Sequence, residues 1–478
     1  MHTEFFYVDF FFISVVYSSR HVALYKLHMD FTGRCKVVPK ISEQEKEMLI
    51  GSLRRLVSCR EERTEENRIL WRDKEDPTDT PETFKSLDAL YSFVLASEAL
   101  GDSLDEIRNA EANDDVLGVF LRQIDEDFFY VFDLIKTQGF FPIPYLWYWD
   151  KPFDCMDMAA FCCEFCISVL NNEDSLTYSE STRDVAKEIL KRSIYSIISS
   201  ASDIGPYYVW KGRGSFQKQR GAKSLKQAGS TYFTALCCSA LSKYITALNI
   251  SPDKLGMDFS RHGIILYITG GLKWILSRYD EDKKAFYKYD DDNEQAIYWG
   301  IFTLMAICDA KPLLDTFRDK PMFDKAESLW KDILDETSAR IFNNNDLYDT
   351  VTMQVDTPGA PVIYEDRVCL GNLTTAIIRY AKEFEPVYDV KDFVIPYLRS
   401  KITQELKEGA TLIMNYHYNI QAFLSYLPYN QQKVISIPYP ALAKIIDEAV
   451  EEKLHEIKNI IYAKLKPFEQ LLDIDKEA

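Results

Sequence analysis

The chain has 478 residues, a formal net charge of −18, and 47% hydrophobic against 27% charged residues. That balance suits a large core-forming fold. It excludes a general nucleic-acid binder, which needs a basic surface to neutralise phosphate.

Aromatic residues are abundant, with 29 Phe, 29 Tyr and 7 Trp. Part of them belongs to the core, and the remainder suits the wall of an apolar cavity. Ten cysteines without a secretory signal are expected of a reducing compartment, so the expected location is cytoplasmic. The apolar stretch Glu4–Tyr17 carries Glu4 and Asp9, lacks a basic flank and is too short to span a bilayer. No membrane span is expected.

Residues 1–40 form the first region. Val22 to Met29 alternate at a strand period. Asp30-Phe-Thr-Gly33 supplies a turn, and Arg34 to Val38 supply a return strand. The reading is a small N-terminal β-hairpin, with a third strand drawn from residues 4–17. A sheet edge of this kind invites a partner strand. The alternative is that Met29 is the true start and the first 28 residues are a spurious extension.

Residues 61–80 are charged and contain proline, and read as a loop. Thr80-Pro81-Glu82 marks a helix start, with an N-cap, a proline in the first turn and an acid at the positive helix end. From there to about residue 466 the periodicity predicts helices.

Six segments look alike. Each opens with small or acidic polar residues and turns apolar around an alanine: Ala89, Ala159, Ala235, Ala296, Ala376 and Ala422. Their spacing runs from 46 residues (Ala376 to Ala422) to 80 (Ala296 to Ala376), room for a helical hairpin at each step. They alternate with more charged, amphipathic segments at 43–60, 115–136, 183–200, 262–278, 325–341 and 391–408. Helices apolar on most sides belong inside and amphipathic ones outside. The expected fold is therefore all-α, an (α/α)6 toroid over residues 41–438. Residues 439–478 form an amphipathic C-terminal helix and tail, which packs back on the ring or mediates self-association.

In a ring with parallel inner helices, the six polar starts converge on one mouth. Free amide groups and partial positive charge there suit a polar or anionic ligand. The competing reading is that these residues are N-caps and nothing more. On this basis Asp157, Thr231, Thr234, Gln295, Tyr298, Asn372, Thr375 and His417 are candidate ligand-binding residues.

Trp210 to Lys226 is the one strongly basic stretch, and three glycines make it flexible. Its Arg213, Lys218 and Arg220 are candidate anion clamps. It lacks the Gly-Lys-Ser/Thr of a phosphate loop. Trp149 stands in an aromatic run, Leu146-Trp-Tyr-Trp-Asp150, ahead of Asp154 and Asp157. Such a cluster suits sugar stacking and paired-carboxylate chemistry. Cys155, Cys162 and Cys166 share a helix face with Cys163 beside them and no nearby histidine; they read as core thiols, not metal ligands, as do Cys237 and Cys238. No metal site is expected.

Trp274-Ile-Leu leads through an acidic turn and an aromatic to Asp290-Asp-Asp292-Asn293 and then Ala296. In this order, and in Ser230–Leu236 and Asn372–Ala376, the chain resembles the terpenoid cyclase and protein prenyltransferase toroid superfamily. The resemblance is a repeat rhythm over about residues 80–430. It implies class II cyclase chemistry, with Asp292 in the place of the proton-donating acid beside Asp290 and Asn293. Asn293 stands where the family motif has Asp. A solvated acidic turn that caps the helix is the other reading of these residues.

Three functions follow as expectations. The leading one is a cavity for a polar or anionic small molecule such as an isoprenoid diphosphate, with catalysis at Asp292 and no cofactor beyond Mg2+ accompanying a diphosphate. The alternative is a non-catalytic scaffold that docks a protein partner through the N-terminal hairpin or the C-terminal helix. The second alternative is a carbohydrate-active toroid, a glycosidase or lyase, using carboxylates among Asp150, Asp154, Asp157 and Asp292.

Overall fold

The computed structural model describes residues 28–29, 35–36, 41–63, 68–71, 83–110, 115–138, 156–171, 176, 178–212, 228–248, 261–287, 297–317, 320–343, 353–357, 360–364, 369–384, 394–409 and 413–431. Its helices are α1 (Glu43–Val57), α2 (Thr83–Leu100), α3 (Asp102–Asn109), α4 (Val116–Gln138), α5 (Met156–Asn171), α6 (Glu180–Ser200), α7 (Thr231–Thr246), α8 (Arg261–Ser277), α9 (Gly300–Phe317), α10 (Lys320–Phe342), α11 (Cys369–Phe384), α12 (Val394–Glu408) and α13 (Ile413–Gln431).

The all-α toroid expected from the repeat is what forms. The helices α2, α5, α7, α9, α11 and α13 make an inner ring. α5 packs on α2 and α7, and α9 on α7 and α11. A Cβ added at Gly371 of α11 would come within 2.7 Å of the Tyr418 backbone of α13. The circle closes where His417 of α13 meets Asp88 of α2, Nδ1 to Oδ1 at 3.1 Å. Outside run α1, α4, α6, α8, α10 and α12. There Ser52 of α1 donates to the Leu406 carbonyl of α12 at 2.6 Å, and Glu45 pairs with Arg399 at 2.9 Å. First and last hairpins therefore meet in both layers.

The alanine rhythm has a packing cause. Ala89, Ala159, Ala235, Ala376 and Ala422 are all buried on inner helices, where neighbours press from both sides and a larger side chain would hold them apart. Outer helices show the complementary pattern. On α1, Met48, Leu49, Leu53 and Leu56 are buried while Glu43, Glu47 and Arg54 face out. Each such leucine contributes ~1.5–3 kcal/mol by leaving water. Ser42 caps α1 reciprocally with Glu45, and Ser179 and Ser230 cap α6 and α7.

One segment, Ile297–Leu314, is long and apolar enough to cross a membrane by length and composition. It covers most of α9, and 72% of it is buried inside the ring.

Short antiparallel hairpins join the helices. His28–Met29 pairs with Cys35–Lys36 as the N-terminal alternation predicts; the third strand drawn from residues 4–17 lies outside the described residues. The expected loop at 61–80 is corrected in part: Arg60–Arg63 pairs with Arg68–Trp71. Charge hid this strand, but Trp71 is fully buried against Phe93 and Phe120, and Arg60 makes a bidentate pair with buried Asp127 at 2.8 Å. Two further hairpins, Ser202–Ile204 with Tyr207–Val209 and Met353–Thr357 with Ala360–Tyr364, interrupt what periodicity predicts as helix. By contact clustering the chain divides into Met1–Asn430 and Gln431–Ala478. The expected C-terminal helix at 440–466 lies outside the described residues.

Candidate functional site

Parallel inner helices bring their N-terminal halves to one end of the ring. A cavity of ≈ 70 Å³ lies among them. Its wall takes Phe161 and Glu164 from α5, Tyr232 and Ser239 from α7, and Phe302 and Met305 from α9. Asn372 comes from α11, and His417, Tyr418 and Gln421 from α13. Every contributor lies in the first nine or so positions of its helix, which only a parallel ring allows. At roughly 10–15 Å³ per enclosed water the space holds about five. Four aromatic rings and several neutral polar groups meet there. None of the described lining residues is a lysine or arginine.

Two lining residues carry polar atoms with no partner among the described residues. Asn372 is 1% exposed, and neither its Oδ1 nor its Nδ2 has a hydrogen bond among the described residues. His417 is 3% exposed; Asp88 engages its Nδ1, and its Nε2 has no partner among the described residues. A buried polar group left unpaired costs ~1–3 kcal/mol, so several such atoms on one wall set this cavity apart from the core.

Beneath the cavity, a charged cluster ties four inner helices together. Glu164 accepts from Ser239 at 2.9 Å and pairs with Lys243 at 2.5 Å. Lys243 also faces Asp309 at 3.5 Å, and Asp309 pairs with Arg379 at 2.7 Å. Ser239 Oγ also lies within hydrogen-bond reach of Asp309, so its one hydrogen is shared between the two carboxylates. Burial pushes the Asp309 carboxyl up, but the Arg379 and Lys243 cations outweigh it and hold its pKa below the usual range. Burial alone would lower the Lys243 ammonium, yet Asp309 and Glu164 raise it above the ordinary lysine value. Two acids and two bases balance, so the cluster closes the ring without charging the cavity.

The site residues expected from sequence separate into groups. Asn372 and His417 line the cavity together, because Gly371 lets α11 press onto the α13 backbone beside them. Thr234 does not face it. Its hydroxyl accepts from the Trp210 amide at 3.1 Å, and it lies toward Gly271 of outer helix α8. Thr375 is buried and donates to the Gly371 carbonyl within its own helix at 2.8 Å. Tyr298 is turned toward α10, with its hydroxyl 3.3 Å from that of Thr337 and its ring under the Arg340 guanidinium. Thr231 is buried at the start of α7 and is not among the described lining residues.

Ser86 repeats the role of Thr234. It accepts from the Trp71 amide at 3.2 Å, just as Thr234 does from Trp210. At these two starts the polar residue anchors the preceding hairpin instead of capping its helix, and at Ser230 it is an N-cap as the plainer reading expects.

Asp290, Asp292, Asn293, Gln295, Trp149, Arg213, Lys218 and Arg220 lie outside the described residues, as does the Asp157 side chain. Lys211–Gly212 pairs with Ala228–Gly229, which brackets the basic segment in a hairpin.

Sequence reasoning did not single out Asp88, Glu164, Tyr232, Ser239, Phe302, Tyr418 or Gln421. Asp88 carried a signal: it is an acid immediately ahead of a repeat alanine on a helix otherwise suited to the core. Of the cysteines read as core thiols, Cys162, Cys163, Cys166, Cys237 and Cys238 are buried, and Cys155 lies outside the described residues. Burial pushes the Cys163 and Cys166 thiols well above the usual value. Among the described residues no group of three or more His, Cys, Asp or Glu side chains could hold a metal ion.

No protein-family model and no curated protein matches this chain. Among solved structures it is similar to a glycoside hydrolase family 76 mannosidase from Bacteroides thetaiotaomicron VPI-5482. The TM-score is 0.43 at 10% identity, covering 82% of this chain and 100% of that one. It is also similar to a family 76 glycoside hydrolase from a bovine Bacteroides thetaiotaomicron strain, with TM-score 0.43, 10% identity, and 84% and 83% covered. The cyclase and prenyltransferase part of the resemblance gains no support from these comparisons.

Proposed function

We propose that this chain is a carbohydrate-active toroid whose central cavity takes a sugar unit. The observation that carries the reading is Asn372, a buried amide with both polar atoms unpaired among the described residues, on a wall shared with Phe161, Tyr232, Phe302 and Tyr418. Aromatic faces and neutral amides are what hydroxyl-rich, uncharged ligands need. An isoprenoid diphosphate fits less well. Its phosphates call for cations, which the described lining lacks. Cleavage would need two carboxylates at the mouth, and the chain offers Asp157, at the start of α5, and Asp292, in the segment leading into α9.

The narrowness of the cavity also favours a second reading, a ring filled by its own side chains that serves as a scaffold. Titration of the full chain with mannose-, glucose- and xylose-based oligosaccharides, with farnesyl diphosphate as counter-probe, separates the three. Asn372→Leu sharpens the test. A ligand-binding asparagine gives a variant that loses sugar binding and unfolds at equal or higher temperature, because the unpaired amide is gone. If the wild type binds farnesyl diphosphate and no sugar, the carbohydrate reading fails. If it binds neither, the scaffold remains.

A further inference from the structure

The inner ring is joined between its last and first helices by one polar contact with unusual surroundings. Asp88 is fully buried and His417 is 3% exposed. The imidazole is enclosed by rings, with centroids 4.7 Å from Tyr91, 4.6 Å from Tyr418 and 5.4 Å from Phe161. Burial pushes the Tyr91 hydroxyl up to about 12, so it stays protonated beside the pair. A carboxylate only accepts hydrogen bonds, so at 3.1 Å the hydrogen belongs to His417 Nδ1. A neutral ring of that tautomer carries a bare lone pair on Nε2. That atom is buried, has no partner among the described residues, and belongs to a residue of the cavity wall.

We infer that Asp88 fixes His417 as the Nδ1–H tautomer, so that Nε2 faces the cavity as an acceptor for a ligand hydroxyl. Asn372, held beside it by the Gly371–Tyr418 contact, supplies the complementary donor from Nδ2. Together they recognise neighbouring oxygens of a polyol, one giving a hydrogen bond and the other receiving one. His417 is the contact residue and Asp88 the positioning residue. The carbohydrate reading supplies the ligand class, so this inference rests on it for the class but not for the tautomer.

The two parts are tested separately. The full chain has six histidines, so 15N-histidine labelling and long-range 15N–1H correlation resolve the ring states. The His417 signals are identified by their loss in His417→Phe. The expected result in the unliganded wild type is an Nδ1–H ring, converted by Asp88→Leu to the Nε2–H form or a mixture. An Nε2–H ring or an imidazolium in the wild type overturns the proposal, whether or not Asp88→Leu folds.

His417→Phe keeps the ring packing and removes the acceptor. It is expected to weaken methyl α-D-mannopyranoside binding by ligand-observed NMR at least tenfold, read where both proteins are folded, because taking the imidazole from buried Asp88 also lowers the melting temperature. Binding equal to the wild type overturns the contact role. If the wild type binds neither this glycoside nor the oligosaccharide panel, the carbohydrate reading falls, and the ring state of the free protein decides the Asp88–His417 pair by itself.

Discussion

Asp309→Asn tests whether the charged cluster beneath the cavity holds the inner ring together. The carboxylate faces Arg379 at 2.7 Å and Lys243 at 3.5 Å, and its side chain is 3% exposed. Removing one partner of a buried pair costs roughly 3–5 kcal/mol, because the remaining charge stays desolvated. Two features reduce this. Lys243 keeps Glu164 at 2.5 Å, and Arg379 retains 23% exposure, so water screens part of its charge. The expected loss is about 2–3 kcal/mol. An unfolding entropy of ~2.1 cal/mol/K per residue over roughly 430 residues gives ~0.9 kcal/mol/K, so the melting temperature falls by about 2–3 °C if the ring unfolds as one unit. Urea denaturation followed by circular dichroism measures the same loss as a lower midpoint at constant slope. The double variant Asp309→Leu/Arg379→Met removes both charges and is expected to recover most of it. A single variant with the wild-type midpoint, or a double variant no better than the single, refutes the reasoning.

Further outcomes follow from other contacts. Gly371→Ala places a methyl within 2.7 Å of the Tyr418 backbone; it should cost about 1–3 kcal/mol as α11 and α13 are forced apart, read as a lower urea midpoint, and a neutral result means the helices shift freely. Asp127→Ala strands the Arg60 guanidinium, which is 12% exposed in a bidentate pair, and should cost roughly 3–5 kcal/mol in the same assay. The acid dependence of stability should also change in Asp309→Asn. Because the folded pKa of Asp309 is depressed, its stabilisation is complete above the unfolded aspartate value of about 3.9 and disappears as pH falls through the folded value. The gap in melting temperature between wild type and variant should therefore close at the acid end of a scan from pH 6 to pH 2, and a constant gap would contradict the ion pairing. On the alkaline side Lys243, with its pKa raised, keeps its contribution in full below the unfolded lysine value of about 10.4 and loses it as pH rises through the higher folded value.

The sequence by itself determined the two layers. Period-3.6 segments that are apolar on most sides must lie inside, amphipathic ones must lie outside, and an alanine at each close approach marks the inner layer. Those are local properties, because each helix carries its own pattern of burial. The outer helices accordingly fall within a few residues of the segments read from charge and periodicity. What it could not decide was direction and partnership. Thr234 and Asn372 look equivalent at the head of their helices, yet one turns outward to anchor a Trp210 amide and the other lines the cavity with no hydrogen-bond partner among the described residues. A rotation of about 100° per residue separates those fates, and only packing against neighbouring helices fixes it. Asp88 and His417 stand 329 residues apart, at opposite ends of the repeat. No spacing rule connects them; they meet because the sixth hairpin returns to the first, and that closure belongs to the tertiary structure alone.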